Sequence, residues 1–287
     1  MPYTVAVSFD KFIDNISISG DQHQTSTARK DNIVSLLEND FEIVEAFASG
    51  SIPKRTAIKG SDLDVIVALH YGKHIKNKKP SEVLQSVRDS LGEYRTGVRK
   101  NGQAVTLRYE TWPNVDVVPV AKIKNDDETI SYYEVPDMNC EEWILSKPKK
   151  HSENMAKRAA DCGAEFRRTV RMIKWWNKQH SSYLQSYHIE VLALAILTGS
   201  LDDYSWNVYK FFNGAHTKVQ SSLQHEEVFV DNYLNLNDRQ EAIKRLSSAK
   251  DKALTAWAAT YDKNDDHKTA IKLWRQIFGE EFPAYGS

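Results

Sequence analysis

The first half of the chain carries the hydrophobic pattern of a β-sheet. Apolar residues are nearly continuous over 63–69 and 115–120, which predicts two short strands, the first of them buried on both faces. Residues 42–47 predict a third strand, and residues 103–110 alternate apolar and polar positions as a half-buried strand does. Because proline cannot donate to a β-ladder, Pro119 favours an edge position or a strand end.

The second half of the chain carries a helical pattern, which begins after about Pro136. Helices are predicted over 25–38, 152–179, 186–197, 238–254 and 267–278. The helix over 186–197 has little polar face, so we expect it to be buried nearly all round. Strands followed by helices indicate an α+β fold, with a sheet lobe over 1–140 that includes the first helix and a helical lobe over 141–287.

The composition excludes several classes of protein. Hydrophobic residues make up 41% of the 287 positions, yet no apolar run approaches the ~20 residues that cross a bilayer. Residues 1–13 lack the basic and apolar regions of a secretory signal. Cys140 and Cys162 are the only cysteines, which rules out a disulfide framework and a cysteine-rich zinc site. We therefore expect a cytoplasmic protein with no membrane partner.

The net charge limits the partners. Proteins that bind nucleic acid tightly through its phosphates are usually basic, whereas this chain has a formal net charge of -1. Small triphosphates need only a few cationic side chains and a metal ion. We expect nucleoside triphosphates as substrates and no stable nucleic-acid partner.

Three aspartates give the strongest chemical signal. Asp62 and Asp64 are two residues apart at the start of an apolar strand, so we expect both carboxylates on one face. Like charges this close repel, and Mg²⁺ relieves the repulsion because it prefers carboxylate oxygens together with substrate phosphates. Asp116, on a later strand, supplies a third carboxylate that can also help remove a proton from the attacking hydroxyl. The set predicts a phosphoryl-transfer site that holds Mg²⁺, or Mn²⁺ in its place.

Gly50 and Ser51 precede Asp62 by a gap of ten residues. Glycine lets the backbone approach a phosphate closely, and backbone N–H groups and the Ser51 hydroxyl can donate to its oxygens. By itself, Gly-Ser is a common turn pair and Asp-x-Asp is usually a solvated strand end. The combination with a third aspartate on a later strand is much more specific.

A second set of candidate residues lies in the helical half. Lys174 is on a helix face that is otherwise apolar, which favours a phosphate contact over a surface role. Ser186 begins the next helix, where free N–H groups attract anions, although it also suits a plain N-cap. Tyr187 can stack on a base or pack in the core. His188 is expected to be a hydrogen-bonded structural histidine.

These residues carry a resemblance to a known family. The segments that carry it are 50–64, 115–117, 135–151, 173–176, 186–188 and 273–283. Together they make the chain similar to the cGAS/DncV-like nucleotidyltransferases (CD-NTases), bacterial relatives of cyclic GMP-AMP synthase and oligoadenylate synthase. The aspartate motif is shared with CCA-adding enzymes and poly(A) polymerases, so the later segments narrow the resemblance.

The resemblance implies a polymerase-β-like sheet lobe followed by a helical lobe, with the active site in the cleft between them. It implies a Mg²⁺-dependent synthase that condenses nucleoside triphosphates, ATP among them, into a cyclic di- or trinucleotide and releases pyrophosphate. It assigns Gly50, Ser51 and Thr56 to the phosphate loop. The product would serve antiphage signalling of the CBASS type and reach a separately encoded effector.

Two other functions are compatible with the same residues. One is an enzyme that extends an RNA 3′ end, as CCA-adding enzymes and poly(A) polymerases do. The other is an inactive nucleotide-binding scaffold, against which the complete carboxylate set argues.

Overall fold

The structure is a computed structural model that describes residues 3–261 and 265–286. The chain forms two compact units, one of which spans Ile18–Ser152. The other combines the residues up to Ser17 with Glu153 and those that follow it. The predicted α+β class is confirmed, while the lobe boundaries at residues 140 and 141 stay a prediction.

The first unit contains both helices and strands, and helices dominate the second. The helices are α1 (Val5–Ile16), α2 (Gly20–Leu37), α3 (Pro80–Tyr94), α4 (Pro148–Cys162), α5 (Ala164–Gln179), α6 (Ser186–Ile196), α7 (Tyr204–Lys218), α8 (Leu236–Ala258) and α9 (His267–Phe278). The strands are β1 (Ile43–Ser49), β2 (Leu63–Leu69), β3 (Arg99–Asn101), β4 (Ala104–Leu107), β5 (Val115–Lys124), β6 (Ile130–Asp137), β7 (Glu142–Ser146), β8 (Gln224–His225) and β9 (Val228–Phe229). A short π-helical turn, Tyr71–Ile75, follows β2.

The sheet of the first unit is mixed. Its strand order is β1-β2-β5-β4-β3, and β6 extends it by pairing with both β5 and β7. Strands β2 and β5 run parallel, and the remaining pairs are antiparallel. The parallel pair places the amino ends of β2 and β5 side by side, where two of the three predicted aspartates lie.

Strand β2 separates two apolar clusters. Leu63, Val65 and Val67 belong to the larger cluster, together with buried residues of α2 and α3. Ile66 and Ala68 belong to a second cluster on the opposite face, with residues of β5 and β6. The prediction that this strand is buried on both faces is confirmed, with Asp64 as a half-buried exception.

The expectation for Pro119 was wrong, because this residue lies inside the central strand β5 opposite Val67 of β2. The Leu63 N–H donates to the Asn114 carbonyl, so the alternation of the parallel ladder directs the N–H groups of Asp116, Val118 and Val120 toward β2. The nitrogen of Pro119 therefore faces the other side of β5. On that side the pairing with β4 ends at Val117 and the pairing with β6 begins at Ala121. A proline is tolerated there because no ladder hydrogen bond is lost.

The second unit is built around helices α1, α5 and α9. The Thr4 side chain caps the start of α1 by accepting from the Val7 N–H. Phe9 and Phe12 of α1 are fully buried, with the Phe9 ring 5.1 Å from Trp274 and the Phe12 ring 4.6 Å from Phe278. The first helix of the chain thus completes a core that the last helix supplies.

The continuous helix predicted over 152–179 was wrong. It is interrupted at Gly163, whose φ of 85° lies in the left-handed region and separates α4 from α5. The other predicted helices are present with shifted ends, and α1, α3 and α7 had no counterpart in the prediction. No helix in residues 3–261 and 265–286 combines the length and the apolar character that a membrane crossing requires.

Candidate active site

Asp64 and Asp116 are direct neighbours across the parallel strands β2 and β5. Register partners on adjacent strands point to the same face and lie about 4.8 Å apart along the hydrogen-bonding direction. Both side chains are half-buried, and Asp62 is exposed one residue before β2 begins. The structure therefore brings two of the three predicted carboxylates together and leaves the third next to them in the chain.

The same row of the sheet contains two hydroxyl residues. Ser49 of β1 is the register partner of Asp64, and Thr106 of β4 is the register partner of Asp116. The Thr106 hydroxyl donates to Oδ1 of Asp116 at 2.5 Å, which orients that carboxylate. Thr106 was not among the residues predicted from the sequence, although the alternation over 103–110 placed it on a strand. Only the register identifies its partner.

Gly50 lies directly against Asp64. A Cβ atom at position 50 would be 1.7 Å from Oδ2 of Asp64, a distance that no side chain could adopt. The φ of Gly50 is 70°, which also favours glycine. This position therefore requires glycine for its backbone conformation and for its approach to a carboxylate.

A tight turn follows Gly50. The Thr56 N–H donates to the Ser51 carbonyl at 3.0 Å, and the Arg55 N–H donates to the Ile52 carbonyl at 3.0 Å. Thr56 is fully buried, whereas Ser51 remains half-buried. The turn runs from Ser51 to Thr56, and the assignment of Gly50, Ser51 and Thr56 to a phosphate loop stays a prediction.

The segment between β4 and β5 ties the start of β2 to α2, a connection that was not predicted from the sequence. The indole N–H of Trp112 donates to the Ser61 carbonyl at 2.8 Å. The Arg29 guanidinium donates to the carbonyl of Thr111 at 2.8 Å and also to the carbonyl of Pro113, and it lies 3.9 Å from the centre of the Tyr109 ring. The Trp112 bond fixes the backbone just before Asp62, and the bond from the Leu63 N–H to the Asn114 carbonyl fixes it just after. Arg29 and Tyr109 are 80 residues apart in the sequence, so no local pattern predicts their contact.

The carboxylates fit a magnesium ion that is held together with substrate. In the part of the chain that the structure describes, no three His, Cys, Asp or Glu side chains form a complete metal-binding group. Mg²⁺ is commonly bound through one or two carboxylates plus the phosphates of a substrate, and Asp64 and Asp116 supply such a pair. The close approach of Gly50 keeps bulky side chains away from that pair.

Lys174 forms a buried ion pair in the helical unit. Its ammonium is 2.6 Å from Oε1 of Glu190, and the two side chains are 4% and 1% exposed. The pair connects α5 to α6, because Lys174 lies on the first helix and Glu190 on the second. A phosphate contact by Lys174 stays a prediction, now with a carboxylate as its competitor.

Ser186 and Tyr187 lie in the first turn of α6. The N-cap residue is Gln185, so the alternative that Ser186 is the cap was wrong, and its side chain is exposed. Burial, reinforced by the charges of Glu226 and Glu190, raises the pKa of Tyr187 to about 12. The phenol is therefore neutral at physiological pH, and its ring remains half-buried.

The prediction for His188 is confirmed. Its Nδ1 is 2.9 Å from the Tyr233 hydroxyl, and the ring is 1% exposed. Burial lowers its pKa to about 4, so the imidazole is neutral at physiological pH. This is a structural histidine of the helical unit.

The sequence of this chain is similar to those of known proteins. Residues 3–159 match the family model of the Second Messenger Oligonucleotide or Dinucleotide Synthetase domain. A cyclic AMP-AMP-AMP synthase of an Acinetobacter strain is 24% identical over 275 residues, which cover 88% of this chain and 77% of that protein. A probable cyclic nucleotide synthase of Bacillus cereus is 24% identical and is matched over 99% of both chains.

The fold also matches solved structures. The structure of CdnC of Escherichia coli MS115-1 with ATP superimposes with a TM-score of 0.76 at 16% identity, covering 97% of this chain and 98% of that chain. At this level of identity the match concerns the fold.

Proposed function

The chain belongs to the Second Messenger Oligonucleotide or Dinucleotide Synthetase family, and from this premise we propose that it joins nucleoside triphosphates into a cyclic di- or trinucleotide with release of pyrophosphate. The observation that carries the proposal is the pairing of Asp64 with Asp116 across parallel strands, with the Gly50 backbone against Asp64. Two neighbouring carboxylates can bind a divalent cation that also binds the phosphates of a substrate, and a glycine beside them leaves space for those phosphates.

Asp62, Asp64 and Asp116 would hold Mg²⁺, for which Mn²⁺ could substitute. When bound, such an ion neutralises charge on the phosphates and makes the attacking hydroxyl more acidic. Thr106 holds the Asp116 carboxylate in position through its hydrogen bond. Asp116 would then accept the proton of the attacking hydroxyl.

The remaining predicted residues would bind the nucleotide. Gly50 and Ser51 offer backbone N–H groups and a hydroxyl to the phosphates, and Thr56 keeps their turn closed. In the helical unit, Ser186 lies at an exposed helix N-terminus, which attracts anions, and the neutral ring of Tyr187 offers a stacking surface for a base. The Lys174 ammonium would contact the triphosphate while it remains paired with Glu190.

The relatives support the choice of nucleotides and product. The Acinetobacter relative makes a cyclic molecule from three AMP units, and CdnC was solved with ATP, so ATP is the first substrate that we propose here. The same active site would act more than once, and ring closure brings a free hydroxyl and the last α-phosphate together within one bound molecule. We place the enzyme in the cytoplasm, in CBASS-type antiphage signalling, with a separately encoded effector that binds the product.

Product analysis tests this proposal. Purified protein is incubated with the four radiolabelled triphosphates and Mg²⁺, with and without a short RNA, and then with phosphatase. We expect a phosphatase-resistant cyclic product without RNA, and no product in EDTA. Asp62→Asn combined with Asp64→Asn should abolish the product, whereas Asp89→Asn on the exposed face of α3 should leave it unchanged.

Each other outcome contradicts a defined part of the proposal. Label that appears only in a lengthened RNA would indicate an enzyme that extends RNA 3′ ends. Nucleotide binding without any product would indicate an inactive scaffold. Full activity in EDTA or in the double Asn variant would refute the carboxylate assignment.

A further inference from the structure

A cavity in the unit Ile18–Ser152 is lined by none of the three predicted aspartates. Its volume is about 340 Å³, and it opens between α2, the edge strand β1 and the 51–56 turn, so we call it the α2 cavity. Ala46 and Ala48 of β1 line it, and they alternate with Phe47 and Ser49 along the strand. The two alanines therefore face away from the side of the sheet that contains Asp64, and Phe47 also lines the cavity at this edge strand. The volume is that of a small-ligand pocket.

The lining is positively charged at the rim and apolar at the base. His23 and Lys30 of α2 and Arg55 of the turn line the cavity, and none of the described acidic residues does. Apolar atoms come from the β1 alanines, Ile52, Pro53 and Leu63. The hydroxyls of Ser26 and Thr27 also line the cavity, and each donates to a carbonyl of its own helix. A cationic rim over an apolar base selects a small organic anion.

The cations are available for a ligand. Lys30 is 2.8 Å from Asp31, its neighbour in the chain, whose side chain is 63% exposed, and such surface pairs contribute little. Among the described residues, the side chains of Arg55 and His23 take part in no hydrogen bond or ion pair. Two of the three basic groups thus have an open position for an anion.

Arg55 also has an unusual backbone conformation. Its φ is 58°, in the left-handed region that non-glycine residues rarely occupy. Strain of this kind is concentrated at functional sites. Arg55 lies in the turn that starts beside Gly50, so an anion bound to its guanidinium would act on the segment that contacts Asp64.

We propose that the α2 cavity binds a small organic anion, a phosphate or carboxylate on a compact apolar body, and that this ligand stabilises the 51–56 turn. Binding itself does not depend on the proposed synthase function, whereas an effect on turnover rests on it. None of Asp62, Asp64 and Asp116 lines this cavity, which joins α2 to the 51–56 turn.

Binding is measured by calorimetric titration with three probes of similar size: phenyl phosphate, benzoate and the uncharged benzyl alcohol. We expect saturable binding of at least one of the two anions and none of benzyl alcohol, and the stronger anion identifies the acidic group of the ligand. Lys30→Gln and Arg55→Asn should each weaken binding about tenfold or more, as expected for a lost charge-assisted hydrogen bond. Asparagine is chosen because it tolerates the left-handed conformation.

Lys250→Gln is the matched control. Lys250 is 25% exposed and is paired with its chain neighbour Asp251 in the other unit, which reproduces the setting of Lys30, itself 26% exposed. The affinity of the Lys250→Gln variant for the anionic probe should stay within about twofold of that of the wild type. Equal weakening in all three variants would mean a general effect of net charge and would overturn the proposal.

The effect on the turn is read by hydrogen exchange. The anionic probe should slow the exchange of residues 51–56 in the wild type and not in Lys30→Gln. Absence of saturable binding, or binding without this protection, would overturn the proposal. Turnover is a separate readout: Lys30→Gln should keep the basal rate and lose any response to the probe, and a protein without turnover contradicts the synthase function while binding and exchange remain interpretable.

Discussion

At the scale of single residues, Gly50 is restricted to glycine both by its backbone conformation and by its contact with Asp64. Its left-handed φ costs another residue about 1–2 kcal/mol, and the contact with Asp64 excludes any Cβ. Displacing the Asp64 carboxylate by an ångström is sufficient to reduce a rate about 100-fold. The cost of the left-handed φ and the cost of the Asp64 contact can be measured separately, because Gly97 also has a left-handed φ but has no such contact.

We expect Gly50→Ala to reduce turnover about 100-fold or more, because the methyl group displaces either the turn or the Asp64 carboxylate. The control is Gly97→Ala, since Gly97 has a φ of 73° and no neighbouring atom within 4 Å of the position that a Cβ would take. That variant should lose only stability, about 1–2 kcal/mol, and keep its rate. Steady-state kinetics and urea unfolding provide the two measurements. Similar rate losses in both variants would contradict the role of the Asp64 contact.

Lys174 and Glu190 form a buried ion pair that we expect to stabilise the helical unit. Removing one member of a buried ion pair costs about 3–5 kcal/mol, so Lys174→Ala should lower the free energy of unfolding by that order. Lys157→Ala, which breaks the exposed pair with Asp161, should cost less than about 0.5 kcal/mol. Urea denaturation gives both values. A Lys174→Ala variant as stable as the wild type would refute a structural role for the pair.

The phosphate contact of Lys174 needs a variant that avoids this instability. Lys174→Met combined with Glu190→Met removes both charges from the interior and should recover much of the stability. If the ammonium also contacts the triphosphate, this variant should still bind a non-hydrolysable ATP analogue about tenfold more weakly than the wild type. Unchanged affinity by calorimetry would remove Lys174 from the nucleotide site.

Glu45 makes the stability of the sheet unit depend on acidity. Burial alone would raise its pKa, but hydrogen bonds from Lys149, Lys122 and Tyr133 outweigh this and lower it from 4.5 to about 2. Because the folded-state pKa is depressed, the stabilisation is complete above about pH 4.5 and is lost as the pH falls toward 2.

Glu45→Gln should therefore reduce stability by about 1–3 kcal/mol at pH 7 and make the decline between pH 5 and pH 2 shallower. The control is Glu128→Gln, whose pair with Lys124 is exposed, so this variant should change the pH dependence of stability much less than Glu45→Gln. Urea unfolding across this pH range provides the measurement. Parallel pH curves for wild type and Glu45→Gln would contradict the assignment.

At the scale of elements, β5 illustrates how register decides what a residue does. Val118 and Pro119 are adjacent in the same strand, but the ladder with β2 uses the N–H of Val118 and not the nitrogen of Pro119. The strand tolerates proline at position 119 because the pairing with β4 ends before this residue and the pairing with β6 begins after it.

We expect Val118→Pro to lower the free energy of unfolding by about 1–3 kcal/mol or more, since it removes a ladder hydrogen bond inside a central strand and leaves a carbonyl of β2 unpaired. Pro119→Ala, at the neighbouring position, should cost only about 1 kcal/mol through lost packing. Chemical denaturation of the two variants measures the difference. Equal costs would contradict the register of the β2–β5 pair.

At the scale of the whole molecule, the chain places its first helix in the unit that its second half forms. Phe12 of α1 is fully buried, and its ring lies 4.6 Å from Phe278 and 5.4 Å from Phe282. The contacts join residues separated by most of the chain. The helical unit therefore includes the amino-terminal helix in its core.

Phe12→Ala should cost about 3–5 kcal/mol and increase hydrogen exchange in α9 more than in β2. Val7→Ala is the control on the same helix, because Val7 is 41% exposed, and it should change neither segment. Exchange measured by mass spectrometry separates the two regions. An equal rise in β2 and α9 would contradict the division into two compact units.

Local pattern was sufficient for the predictions that depend on neighbouring residues. The apolar run 63–69 predicted a doubly buried strand, and the helices at 186–197 and 267–278 were found with nearly the same ends. Periodicity predicts such elements because one face of each must be buried. The order of strands and helices likewise gave the α+β class. The glycine and aspartate spacing predicted a nucleotidyltransferase, and the later segments narrowed the resemblance to the family.

Tertiary structure alone decided the remaining features, because each depends on residues that are distant in sequence. The register of β2 with β5 pairs Asp64 with Asp116 and directs the Pro119 nitrogen into a gap. Packing of α6 on α5 gives Lys174 its carboxylate partner. Helix α1 joins the helical unit because Phe9 and Phe12 find their aromatic partners there. A sequence determines which residues must be buried or charged, and only the folded chain determines which of them meet.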